Sequence, residues 1–145
     1  MSYIDNVQRK IKIYIKNTYA YLQLDDMVMG KGLFNRQCHQ NSIQKANEDD
    51  LDVYMAVSLH NDDDDNDVFI HFINKDKNNK YVDNTLGYQY KSYKYYIIRK
   101  ININEYNKIF TIFLDYRKFL IDTQVGEFQR KVYNFFHNKK AENYI

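Results

Sequence analysis

Seven residues constrain this chain more than any others: Val68, Phe69, Ile70, His71, Phe72, Ile73 and Asn74. In an extended strand, side chains alternate between faces. Val68, Ile70 and Phe72 then share one face, and Phe69, His71 and Ile73 share the other. A strand apolar on both sides has to be covered on both, so it belongs in the middle of a sheet. It also buries an imidazole, which is costly without a hydrogen-bond partner. A partner is close at hand. Residues 75–79 read as a polar turn, and 80–85 as the returning strand. With a five-residue loop, Asn74 faces Lys80, Ile73 faces Tyr81, Phe72 faces Val82 and His71 faces Asp83. Directly opposed side chains lie on one face with β-carbons about 5 Å apart. The hairpin therefore predicts a His71–Asp83 contact, and a slip of one residue would substitute Asn84.

The remaining segments supply layers for that strand. Ile4, Val7, Ile11, Ile15, Thr18 and Leu22 recur at three and four, which predicts a helix over 3–24. Residues 25–34 read as a connector, with Gly30 and Gly32 giving the backbone close approach to the next helix and room for a substrate. That helix spans about 37–48 and is poor in apolar residues. Residues 51–59 alternate as a strand that His60 ends, and 61–67 form an acidic hairpin loop. A strand follows at 93–101. Asn102 and Glu105 have the spacing of a capping box and open a helix to about Leu120. A last helix is predicted over 123–138, and the polar tail from Lys139 is expected to be loose. Ile109, Phe110, Ile112, Phe113, Tyr116 and Phe119, then Val125, Phe128, Val132, Phe135 and Phe136, read as core or as a homodimer contact. The expected fold is a single α+β domain over 1–145. An antiparallel sheet of about four strands packs against N-terminal, central and C-terminal helices.

Charge and cysteine usage narrow the function. The net charge of +2 is too small to argue for a nucleic-acid or membrane partner, despite the interleaved tyrosines and lysines at 88–100. No apolar run approaches the roughly 18 residues of a membrane span, and no secretory signal is evident. A single cysteine fits a reducing compartment, so a cytoplasmic protein is expected. The absence of proline and tryptophan, with many Tyr, Asn, Lys and Ile, suggests AT-rich coding such as a phage's, and then the host cytoplasm. No cofactor is implied. The acidic run lacks the glycine and glutamate of a calcium loop, and one cysteine with scattered histidines has no zinc spacing, so no metal is expected.

That cysteine, Cys38, falls where a helix begins. Asn35 is a good capping residue, which would put Cys38 in the first turn among free amides. There the helix dipole favours the thiolate, the nucleophilic form, and the amides can hold an oxyanion. The plain alternative is a small buried cysteine on an ordinary helix. Gln37, His39, Asn41 and Asn84 are candidates for holding an oxyanion or positioning a substrate. As a base, His39 points about 100° from Cys38 on a helix. His60 is a rival base, but no paired strand supplies it with an orienting group.

The segment Gln37, Cys38, His39, Gln40, Asn41 resembles the nucleophile segment of small papain-like cysteine enzymes. His71 to Asn74, followed by Tyr81, Val82, Asp83, Asn84 and Thr85, resembles the histidine-then-aspartate segment of papain-like and transglutaminase-like folds. The resemblance spans about residues 32–87, without the usual tryptophan near these residues and with Asn84 where a proline is common. It implies a papain-like fold, with Cys38 as nucleophile, His71 as general base and Asp83 as its orienter. It also implies a hydrolase or acyl transferase acting through a thioester on a protein, peptide or small amide or acyl substrate. The competing expectation is a non-catalytic viral or phage protein that binds a host protein.

Overall fold

The computed structural model describes residues 2–33, 37–136 and 145. The elements in order are α1 (Tyr3–Thr18), β1 (Met27–Met29), α2 (Cys38–Asp49), β2 (Asp52–His60), β3 (Val68–Lys75), β4 (Tyr81–Asp83), β5 (Tyr93–Ile101) and α3 (Ile109–Phe136), with short 3-10 turns between. The fold is α+β. Its sheet has five strands in the order β1-β4-β3-β2-β5. β1 runs parallel to β4 and the other pairs are antiparallel, so the sheet is mixed and larger than the antiparallel one expected.

β3 is the middle strand, and both its faces are covered. Val68, Ile70 and Phe72 join Val7, Ile11 and Ile15 of α1, with Phe113, Leu120 and Ile121 of α3, in one cluster. Ile73 packs on the other face with Met27, Ala56, Tyr90 and Tyr95. Burying each such side chain contributes roughly 1.5–3 kcal/mol.

Several boundaries differ from expectation. α1 ends at Thr18 because Tyr19 turns extended, and Tyr21 then bridges to Tyr96 of β5. The segment read as a connector contains β1. Gly30 and Gly32 approach the chain after β4 rather than α2. A β-carbon on Gly30 would lie 2.9 Å from Asn84 Cα, and Gly32 and Gly87 meet with φ of +66° and +57°. Glycine alone accepts both demands readily. The Asn102–Glu105 capping box is present, but it opens a 3-10 turn, Ile103–Lys108, ahead of α3. The two C-terminal helices are one element broken at Gly126, where φ is 81° and ψ 168°. Ile109 and Phe113 of α3 are buried, whereas Phe110, Phe119, Phe128, Phe135 and Phe136 are exposed, so only part of the apolar face expected as core or homodimer contact is core. Residues 137–144 lie outside the described residues. Ile145, expected in a loose tail, is buried and its amide donates to Val68 O at 3.0 Å.

Candidate active site

The β3–β4 hairpin brings His71 and Asp83 together by a route other than direct opposition. Asn74 pairs with Val82 and Lys75 with Tyr81, so the loop is 76–80 and the register is two residues from the one expected. Continued by one residue, it sets Asp83 beside Ile73, diagonal to His71. A shift of two preserves the face, where a shift of one would have reversed it. His71 Nε2 consequently lies 2.8 Å from Asp83 Oδ2, with the residues 2% and 0% exposed. Asn84, the alternative partner, points the other way. Its amide donates to Asn74 Oδ1 at 2.9 Å, and its Oδ1 accepts the Lys31 amide at 3.3 Å.

β4 pairs with β3 only at those two positions, which leaves the β3 edge near Phe72 open to another group. Cys38 takes that place, and the Phe72 amide hydrogen-bonds its sulfur. α2 is fixed there by side-chain amides. Asn74 Nδ2 donates to Ser42 O at 2.8 Å, and Asn41 Nδ2 donates to Thr85 Oγ1 at 3.0 Å. The capping residue of α2 is Gln37, which makes no side-chain cap bond; Asn35, the expected cap, lies outside the described residues. Cys38 is therefore the first helical residue. The first intrahelical bond runs from the Asn41 amide to Gln37 O, so the amides of Cys38, His39 and Gln40 have no acceptor within the helix.

The electrostatics follow from this arrangement. Burial alone would push the Cys38 thiol up. The charge of His71 and hydrogen bonds from His39, His71 and the Phe72 amide outweigh it and bring the thiol down from 9.0 to about 7. Burial would lower His71, yet the charges and hydrogen bonds of Asp83 and Cys38 raise it well above 6.5. Burial would likewise raise Asp83, but His71, the Leu86 amide and the Tyr95 hydroxyl hold it below the usual carboxylate range. Asp83 thus stays an acceptor and His71 Nε2 its donor, which leaves Nδ1 to face the thiol. A cysteine, an imidazole and a carboxylate coupled in this order can generate a thiolate–imidazolium pair.

The other candidates are dispersed around this core. His39 helps lower the Cys38 thiol, and its ring lies tilted against Phe110 at 5.8 Å between centroids. Gln37 is exposed, and Asn41 and Asn84 are buried ties between α2, β3 and the segment after β4. The rival base His60 is turned to the acidic loop, 3.6 Å from Asp65 Oδ2, with its ring tilted against Tyr93 at 4.6 Å between centroids. There His60, Asp65 and Asp67 bring possible ligand atoms within 4.8 Å of one another. Beside the thiol site, a cavity of about 460 Å³ is lined by Gly30, Gly32, Thr85, Leu86, Gly87 and Tyr88, among others. Its wall includes the Thr85 that holds Asn41.

Tyr95 is a member of the site that sequence reasoning missed. Its hydroxyl donates to Asp83 Oδ2 from β5. The available signal was a tyrosine on an apolar strand, because a buried phenol needs a partner for its hydroxyl. Comparison with family models, with curated proteins and with solved structures returned no match.

Proposed function

We propose that the protein is a cysteine-dependent hydrolase or acyl transferase of papain-like type, acting on an amide or acyl group through a thioester. The observation that carries this reading is the buried coupling of Cys38 to His71 and of His71 to Asp83 at 2.8 Å. Nothing in packing requires an ionic chain of this kind, since replacing a buried ion pair by apolar residues is commonly neutral or stabilising.

In the proposed reaction, the Cys38 proton passes to His71 Nδ1. The sulfur attacks the carbonyl carbon, a C–S bond forms and the carbonyl electrons move to oxygen. The amides at the start of α2, which have no acceptor within the helix, are suited to hold that oxyanion. Collapse breaks the bond to the leaving amine or alcohol, which takes the proton from His71. Water or an acceptor amine then attacks the thioester, gives its proton to His71 and releases the thiol. The cavity beside Thr85 is the proposed approach for the acyl group. The test is incubation with an activated ester, p-nitrophenyl acetate, followed by intact-mass and peptide mapping. The proposal expects an acetyl adduct on Cys38 that turns over in wild type and is absent in Cys38→Ser. Acetylation confined to surface lysines would overturn it.

The second reading is a binding protein with a site of this shape but no turnover. It is favoured by the exposed aromatics of α3, including Phe128 at 74% and Phe135 at 83%, which offer a face for a host protein or a second copy. Its expected outcome in the same experiment is no adduct on Cys38.

A further inference from the structure

Asp83 has four lone-pair positions, and each meets a donor. Oδ1 accepts the amides of Thr85 at 3.0 Å and Leu86 at 2.9 Å. Oδ2 accepts His71 Nε2 and the Tyr95 hydroxyl. The two backbone donors come with the turn after β4. Tyr95 comes from much farther away, since β3 and β2 both lie between β4 and β5 in the sheet. It is 1% exposed, and its ring centroid is 6.2 Å from that of His71. On β2, Ala56 pairs with His71 and Ser58 with Tyr95. Two small residues at these positions leave the phenol room to reach over the strand. Phenylalanine would fill the same volume; the hydroxyl is the part that the carboxylate uses.

We propose that Tyr95 is a positioning residue for the thiol chemistry, its hydroxyl fixing the rotation of the Asp83 carboxylate and sharing the negative charge that Asp83 presents to His71. The proposal rests on the Cys38–His71–Asp83 reading above. Among the described residues, Cys38 of α2 acts on this pair, as do Tyr93 and Tyr95 of β5, and His39 acts on Cys38. A donor on Oδ2 competes with His71 for one oxygen. Removing it leaves the carboxylate charge undivided toward the imidazolium, which then keeps its proton to higher pH. A stronger donor has the opposite effect. Burial and the Asp83 charge push the Tyr95 phenol up, so an acidified phenol still donates here.

The test follows the His71 ring by NMR titration of the full chain in three proteins: wild type, Tyr95→Phe, and a chain with 3,5-difluorotyrosine placed at position 95 alone. The His71 midpoint is expected to rise by roughly one pH unit in Tyr95→Phe, the scale of one hydrogen bond to a charged group. It is expected to fall in the fluorinated protein. Midpoints equal to wild type in both, with only thermal stability altered, would reduce Tyr95 to core filling and overturn the proposal, as would shifts of the same sign. Should Tyr95→Phe not fold, the near-isosteric fluorinated chain decides alone. Alkylation of wild-type Cys38 separates this result from the reaction reading. A thiol titrating near 9 would remove the hydrolase, while the His71 midpoints still report whether Tyr95 acts on the Asp83–His71 pair.

Discussion

At the residue scale, the site depends on Asp83 being an acceptor in every direction. Asp83→Asn retains one acceptor oxygen for four donors, so its amide N–H must oppose either the Thr85 and Leu86 amides or His71 and Tyr95. The expected loss is about 1–3 kcal/mol of stability, measured by denaturant unfolding. Where the amide N–H faces His71, the ring is driven to the neutral tautomer with its proton on Nδ1, and in either orientation the carboxylate charge that sustains the imidazolium beside Cys38 is gone. Alkylation of Cys38 at neutral pH should therefore fall to the level of His71→Ala. Equal alkylation in wild type and Asp83→Asn would contradict the assignment. The pairing of His71 with Asp83 was legible because a histidine inside an apolar strand needs a partner and the hairpin offered one. Tyr95 was not, since no local pattern states that β5 lies beside β2.

At the element scale, two glycines separate the site from the rest of the fold. A β-carbon at Gly30 would lie 2.7 Å from the Asp83 carbonyl carbon and 2.9 Å from Asn84 Cα, both backbone atoms. Gly30→Ala must displace the end of β4, with an expected loss of about 1–3 kcal/mol and slower Cys38 alkylation. A β-carbon at Gly126 meets nothing within 4 Å, but φ of +81° strains any other residue. Gly126→Ala should lose a similar roughly 1–3 kcal/mol and leave alkylation unchanged. Thermal melts with alkylation rates check both, and slowed alkylation in Gly126→Ala would contradict the separation. The same elements mark what periodicity can convey. The strands β2, β3 and β5 followed from apolar spacing over several residues, whereas α2, poor in apolar residues, was legible in the helix start ahead of Cys38. β1 has three residues and one buried side chain, too few for a period. The far end of α1 was overrun because Leu22 continued the stripe, although it packs on the opposite sheet face. The break in α3 lies at Gly126, six residues beyond Leu120, the expected end of the first helix, where a left-handed backbone angle records it.

At the scale of the whole molecule, the buried site makes stability depend on pH. Asp83 is depressed in the fold, so its contribution is present above 3.8, the unfolded value, and is lost as pH falls through the lower folded value. His71 is raised, so its contribution is complete below 6.5 and is lost as pH rises through the folded value. His71→Gln keeps a donor for Asp83 without the charge. The melting-temperature gap between wild type and this variant should be widest between about pH 4 and 6.5 and narrow on the alkaline side. A gap independent of pH would contradict the coupling. No helix among the described residues is long and apolar enough to cross a membrane. The most direct measurement of the central claim is the pH dependence of Cys38 alkylation by iodoacetamide in wild type and His71→Ala. The account predicts a wild-type midpoint near 7 and a variant midpoint near 9, because burial then acts without the imidazolium and only His39 and the Phe72 amide oppose it. At pH 7 the thiolate fraction should drop about 50-fold, and its greater basicity should restore somewhat under 10-fold of the rate. Superimposable profiles, both with midpoints at or above 9, would contradict it.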